Sequence, residues 1–207
     1  MAIYGAWHLA NNPQVYEPMR NNTFELIVIF DEPLIKAGAS TFRGTDGQVT
    51  LLDGTKVIGN DYAQEVVRFS VNKVNIPNFT QSPITINRGN TQVKFAGTMT
   101  YQAGSMEVVD YIGADSKSVL MAWQRLSGDI ENETVGRAAD YKKEAYLVEY
   151  GPEYGNIVRE WKIQGAWVSS VSNDENSHEG GNDKRTITAE IQFDKAILQD
   201  PDLNVVA

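Results

Sequence analysis

The chain is dominated by short apolar stretches with a two-residue period, each cut off by a turn signal. "TITAEIQF" (Thr186–Phe193) is the clearest. Ile187, Ala189, Ile191 and Phe193 share one face; Thr186, Thr188, Glu190 and Gln192 share the other. Only a half-buried β-strand uses such alternation, because successive side chains point to opposite faces. "TFELIVIF" (Thr23–Phe30) places Phe24, Leu26, Val28 and Phe30 on one side and Glu25, Ile27 and Ile29 on the other. This predicts a strand buried on both faces. "EVVRFSVNKVNI" (Glu65–Ile76) predicts a strand ended by Pro77. "PITIN" and "TQVKFAG" read as strands split by the turn "NRGN" (Asn87–Asn90), and "GTMTY" leads through "QAGS" to "MEVVDYI" (Met106–Ile112). "KKEAYLVEY" (Lys142–Tyr150), "NIVREWKIQG" (Asn156–Gly165) and "AWVSSV" (Ala166–Val171) complete the set. The expected class is all-β with one short α-helix, as a β-sandwich or small β-barrel.

The helix is "VLMAWQRLSGD" (Val119–Asp129), the one stretch with helical spacing. Val119, Leu120, Trp123 and Leu126 cover one face. Asp115 is the expected N-cap, with Ser116 as a substitute, and Gly128 sits where a left-handed cap belongs. Lys117, Met121, Gln124 and Arg125 form the opposite face, where the exposed Met reads as a contact residue or as a tolerated apolar one. An isolated helix in a β fold plugs an open end or covers an edge.

Between these elements lie irregular segments. Residues 1–22 carry Pro13, Pro18 and several Asn; 31–61 is rich in Gly, Asp and Thr and predicts an inserted hairpin or loop arm; 172–184 is polar and predicts a mobile hairpin tip. Neither a repeat nor an interdomain linker is visible, so 1–207 is taken as one domain.

Catalysis finds little support. There is no Cys, which removes disulfides, thiolate chemistry and thiolate metal sites. His8 and His178 are far apart, one in the irregular N-terminal segment and one in a polar loop. "DENSHE" (Asp174–Glu179) and "DIENE" (Asp129–Glu133) are acidic but lack metal-site spacing, and "GTDGQ" lacks the rest of a phosphate loop. The four Trp and nine Tyr are scattered, and Trp161 reads as core or interface. The formal net charge of −9 with 18 basic residues argues against a nucleic-acid clamp, which needs cations to displace phosphate counterions. No apolar run approaches the ~20 residues that cross a membrane, and "MAIYGAWHLANNP" has no basic region of a signal peptide. The expectation is a soluble chain that is not an enzyme and needs no cofactor or metal.

The second half, read in order, resembles the tail tube proteins of T4-like contractile bacteriophages. The features are the helix carrying Trp123–Gln124, an acidic loop, "YKK" (Tyr141–Lys143) opening a strand, "I-x-G-x-W" at Ile163–Trp167, and the last alternating strand with Glu190 and Asp194. "NTFELIVIF", "VNKVNIPNF" and the stretch from "NRGN" to "MEVVDYI" fit the family's first half, so the resemblance spans about residues 22–197. The chain departs from the pattern in a longer 31–61 segment and in Val168, where many relatives have proline. Its first 20 residues and the stretch after Leu198 have no counterpart.

The resemblance implies a structural virion protein whose six-fold rings stack into the inner tube of a contractile tail. Such sheets join their neighbours' into a continuous wall, and DNA passes through the lumen without specific binding. Implied partners are further copies of the chain, the tail sheath protein, and baseplate and tail terminator proteins, with no membrane. The implied location is the virion tail, assembled in the host bacterial cytoplasm. In this family the helix lies on the outer side, which makes Lys117, Met121, Gln124 and Arg125 candidate sheath or subunit contacts. Asp174, Glu175, His178, Glu179 and Asp183 become a candidate ring-to-ring loop. The inner tube of a tailocin or secretion machine fits the same residues. A carbohydrate- or peptide-binding β-sandwich is the reading from another class, and it requires clustered surface aromatics.

Overall fold

A computed structural model of the chain describes residues 19–31, 34, 48–50, 56–58, 62–111, 116–152, 156–173 and 184–199. Strands dominate, as the two-residue period demands. They run β1 (Phe24–Ile29), β2 (Gln48–Thr50), β3 (Lys56–Ile58), β4 (Val71–Val74), β5 (Phe79–Gln81), β6 (Ile84–Arg88), β7 (Thr91–Phe95), β8 (Met99–Tyr101) and β9 (Gly104–Val109). The second half holds β10 (Gly128–Asp129), β11 (Thr134–Val135), β12 (Lys143–Tyr150), β13 (Ile157–Asn173), β14 (Thr186–Gln192) and β15 (Lys195–Gln199). Among the described residues there are three helices rather than one: α1 (Tyr62–Ser70), α2 (Ser116–Ser127) and the single turn α3 (Ala138–Tyr141).

Several sequence expectations are corrected, among them the left-handed cap at Gly128, which opens β10 without a positive φ. The strand expected over Glu65–Ile76 is the helix α1 followed by the short β4. Its buried Ala63, Val66, Val67 and Ser70 fall at i, i+3, i+4 and i+7, one helical face. The strands expected over Asn156–Gly165 and Ala166–Val171 are a single strand, β13, of 17 residues. Gly165 sits at φ +69°, and a Cβ there would collide with the Asp194 carboxylate. Only glycine accepts this conformation without penalty. The extra residue shows in the register: Lys143 faces Ala166, but Ala145 faces Ile163. The strand therefore turns here without breaking. The Asp194 N–H donates to the Gln164 carbonyl at 3.0 Å, and Lys142 Nζ reaches Asp194 Oδ2 at 2.7 Å, which pins the corner.

β13 thus serves two half-sheets. Its first part pairs with β12 and β15, and β12 pairs with β1. Its second part pairs with β14, continued by β9 and β4. Among the described residues the path β1-β12-β13-β14-β9-β4 ends on β1 and β4, and β15 lies off it, paired with β13. Between the halves lies the main core. Leu26, Val28, Ala145 and Leu147 meet Met106, Val108, Ile187 and Ala189 there, and Val119, Leu120 and Trp123 of α2 close it. As the alternation required, β1 is buried on both faces, because Ile27 joins Tyr146 and Val148 in a second cluster.

The Glu25 carboxylate, on β1, ties α1 to the sheet through an ion pair with Arg68 and accepts from Tyr150 Oη at 2.8 Å. Burial, and then Glu25, push the Tyr150 phenol far above its usual range, so it stays a donor.

Candidate assembly surfaces

The helix expected to plug the core does so. Val119, Leu120 and Trp123 are buried, and Leu126 packs against the same cluster. Trp123 Nε1 donates to the Tyr141 carbonyl at 3.0 Å, and Phe30 meets the indole edge-on at 5.2 Å. On the other face, Met121 and Arg125 are exposed and Lys117 is half-buried. Gln124 is turned inward, with Nε2 donating to the Ser169 carbonyl at 3.1 Å, so it fastens α2 to β13. Asp115 and the whole group Asp174, Glu175, His178, Glu179 and Asp183 lie outside the described residues, as do His8 and most of 31–61. Within that last segment, Gln48–Thr50 pairs with Lys56–Ile58 as a small hairpin.

A cluster of exposed apolar side chains, uncovered among the described residues, lies on a part of the chain that carries no candidate site residue. Between β4 and β9 the chain leaves the core as an arm built from two ladders, β5 with β8 and β6 with β7. Ile84 faces Phe95 and Ile86 faces Val93, so these four side chains share one face. All four are about half exposed, and Met99 and Phe79 add to the surface near the root. Thr85, Lys94, Asn87 and Gln92 occupy the other face.

The arm is held in shape. Gly89 takes φ +58° in the turn, and a Cβ on Gly97 would collide with the Ser82 carbonyl where the ladders meet. Phe79 stacks with Tyr101 at 6.1 Å, and Tyr101 with Phe193 at 5.7 Å, which fixes the root to β14's end. The signal for the arm was present in "PITIN" and "TQVKFAG", whose apolar residues alternate. Alternation states which residues share a face, not whether anything covers it.

Cross-strand polar pairs lie on the outer face of the second half-sheet. Lys73 Nζ is 2.8 Å from Glu107 Oε2, and Asn72 Nδ2 donates to Glu107 Oε1 at 2.9 Å. These bonds hold the Glu107 carboxyl below its usual range. Among the described residues no group of three or more His, Asp or Glu could hold a metal, and no helix is long and apolar enough to cross a membrane.

No protein-family model matches the chain. Among curated proteins it is similar to the tail tube protein gp19 of Enterobacteria phage T4 and of phage T6, each 24% identical over 106 residues. That stretch covers 51% of this chain and 65% of those proteins, just under two thirds of their length. In solved structures, the fold matches a chain of the PVC sheath-tube complex, an extracellular contractile injection system in its extended state. The TM-score is 0.57 at 14% identity, covering 96% of this chain and 99% of that one. A chain of the six-fold symmetrised anti-feeding prophage baseplate matches with TM-score 0.57 at 9% identity, covering 90% and 98%. The chain is similar in sequence to phage tail tube proteins and has the fold found in the tube-bearing assemblies of contractile injection machines.

Proposed function

We propose that the protein is a structural subunit of the inner tube of a contractile tail or related injection machine, assembling as rings of identical copies that stack into a hollow tube. The observation that carries this reading is the arm. A two-stranded hairpin with an apolar face is marginal in water and gains stability only against a surface. No described residue of its own chain covers Ile84, Ile86, Val93 and Phe95. A second copy supplies that surface in an assembly. The sheet edges β1 and β4 are further pairing sites between copies. Sequence similarity to phage tail tubes and a fold shared with contractile injection machines support the same reading.

In this reading the sheath protein, baseplate and terminator are the heterologous partners, and the outer face of α2 with Lys117, Met121 and Arg125 is presented to the sheath or a neighbouring subunit. Residues 174–183 contribute ring-to-ring contacts, and DNA passes through the bore without specific binding. No step requires catalysis. Electron microscopy of the concentrated protein tests the proposal. Hollow rings or tubes are expected; a strictly monomeric particle at every concentration would sink it.

A further inference from the structure

Ile130 and Val135 are the most exposed large apolar side chains among the described residues, at 91% and 87%. Both sit on the β10–β11 hairpin that follows α2. The tip is locked. Asp129 Oδ1 accepts from the Glu131 N–H at 3.1 Å, Oδ2 accepts from Asn132 Nδ2 at 2.5 Å, and Glu133 is held at φ +52°. The Gly136 N–H donates to the Ser127 carbonyl at 3.1 Å, so close that a Cβ on Gly136 would collide with the Leu126 carbonyl. A rigid knob therefore shows two aliphatic side chains to solvent, flanked by the exposed carboxylates Glu131 and Glu133, with Arg125 and Arg137 at its base.

A separate part of the molecule carries a groove of about 850 Å³. Phe24, Val74, Pro77 and Leu147 give it apolar walls. Among the described residues its charged lining is Arg20, Lys73 and Arg159 against one carboxylate, Glu149. Lys73 is engaged by Glu107, Arg159 lies 3.8 Å from Glu149, and Arg20 is exposed. The strands set the separation. β1 runs from the groove at Phe24 toward Phe30, which touches Trp123 of α2, and β12 runs back from Lys143, just beyond the knob and α3, to Glu149. The strand from Lys143 to Glu149 spans about 20 Å. Knob and groove are therefore separate surfaces of one chain, with no lining residue of the groove drawn from the knob.

We propose that the knob of one copy seats in the groove of another, with Ile130 and Val135 against the apolar walls and Glu131 and Glu133 facing Arg20 and Arg159. The contact is heterologous, head to tail, and such contacts propagate unless rotation closes them. The inference rests on the tube reading, where it supplies a stacking contact separate from the arm and from residues 174–183.

The test is charge exchange in the full chain. Glu131→Arg with Glu133→Arg, and separately Arg20→Glu with Arg159→Gln, are each expected to cut tube yield about tenfold or more, because like charges then meet across the rim. Melting temperatures equal to the parent's at dilutions where both are dispersed confirm folding, and combining the two sets is expected to restore tubes. Because the chain has no Cys, a second readout is unambiguous: Ile130→Cys with Ile76→Cys, where the exposed Ile76 lines the groove, should give a disulfide ladder on oxidation. Normal tubes from the reversed knob, losses without rescue, or dimers from Ile130→Cys alone overturn the inference. Absence of tubes from the parent chain instead overturns the tube reading itself.

Discussion

Trp123 joins three parts of the chain through one side chain. Its ring fills the core beside Phe30, and its N–H holds the Tyr141 carbonyl that precedes β12. Trp123→Ala is expected to cost about 3–5 kcal/mol in urea denaturation of the dispersed subunit, since it leaves a large cavity and an unpaired carbonyl. Helical spacing with Val119, Leu120 and Leu126 made this residue legible. Gly165 was legible only as part of "I-x-G-x-W", not as the corner of β13, because a positive φ leaves no trace beyond the identity of glycine. Gly165→Ala is expected to destabilise by about 1–2 kcal/mol from the left-handed backbone alone, with the clash against Asp194 adding to it, and thermal unfolding measures the loss.

Among the elements, α1 departs most from what its local sequence suggests. "EVVRFSVNKV" offers adjacent valines and an aromatic, which suit a strand, and its helical face of Ala63, Val66, Val67 and Ser70 becomes visible only when the window starts before Glu65. Burial of that helix pushes the Glu65 carboxyl above its usual 4.5, opposed in part by Arg68. The folded chain then binds the proton more tightly than the unfolded one, so stability falls as pH rises above 4.5 through the raised range of the folded carboxyl. Glu65→Gln is expected to raise stability at pH 7, with the gain vanishing below about pH 4.5 in denaturant titrations. The arm reverses the lesson: its strands were legible, its exposure was not. Ile86→Ser with Val93→Ser removes exposed side chains, so each is expected to change subunit stability by no more than about 0.5 kcal/mol. Sedimentation should nevertheless show that assembly is lost.

For the whole molecule, association and stability are linked. If copies bind only folded copies, the melting temperature must rise with protein concentration. Scans across a hundredfold concentration range should show that rise in the parent chain and a flat response in the arm variant. A flat response in both would remove the assembly argument.

Taken alone, the sequence determined the β class, the face of α2 that enters the core, the inward set Ile187, Ala189 and Ile191, and the resemblance to tail tubes. All follow from local periodicity and residue order, which survive without knowledge of partners. Tertiary structure decided that β13 is one strand bent at Gly165, that α1 is a helix, that Gln124 faces inward, and that the arm and the Ile130 tip stand uncovered. Burial is a property of what comes to lie opposite a residue, often more than a hundred positions away, as Thr23 and Tyr150 are when the Thr23 hydroxyl donates to the Tyr150 carbonyl at 2.9 Å. No window of neighbours along the chain contains that information.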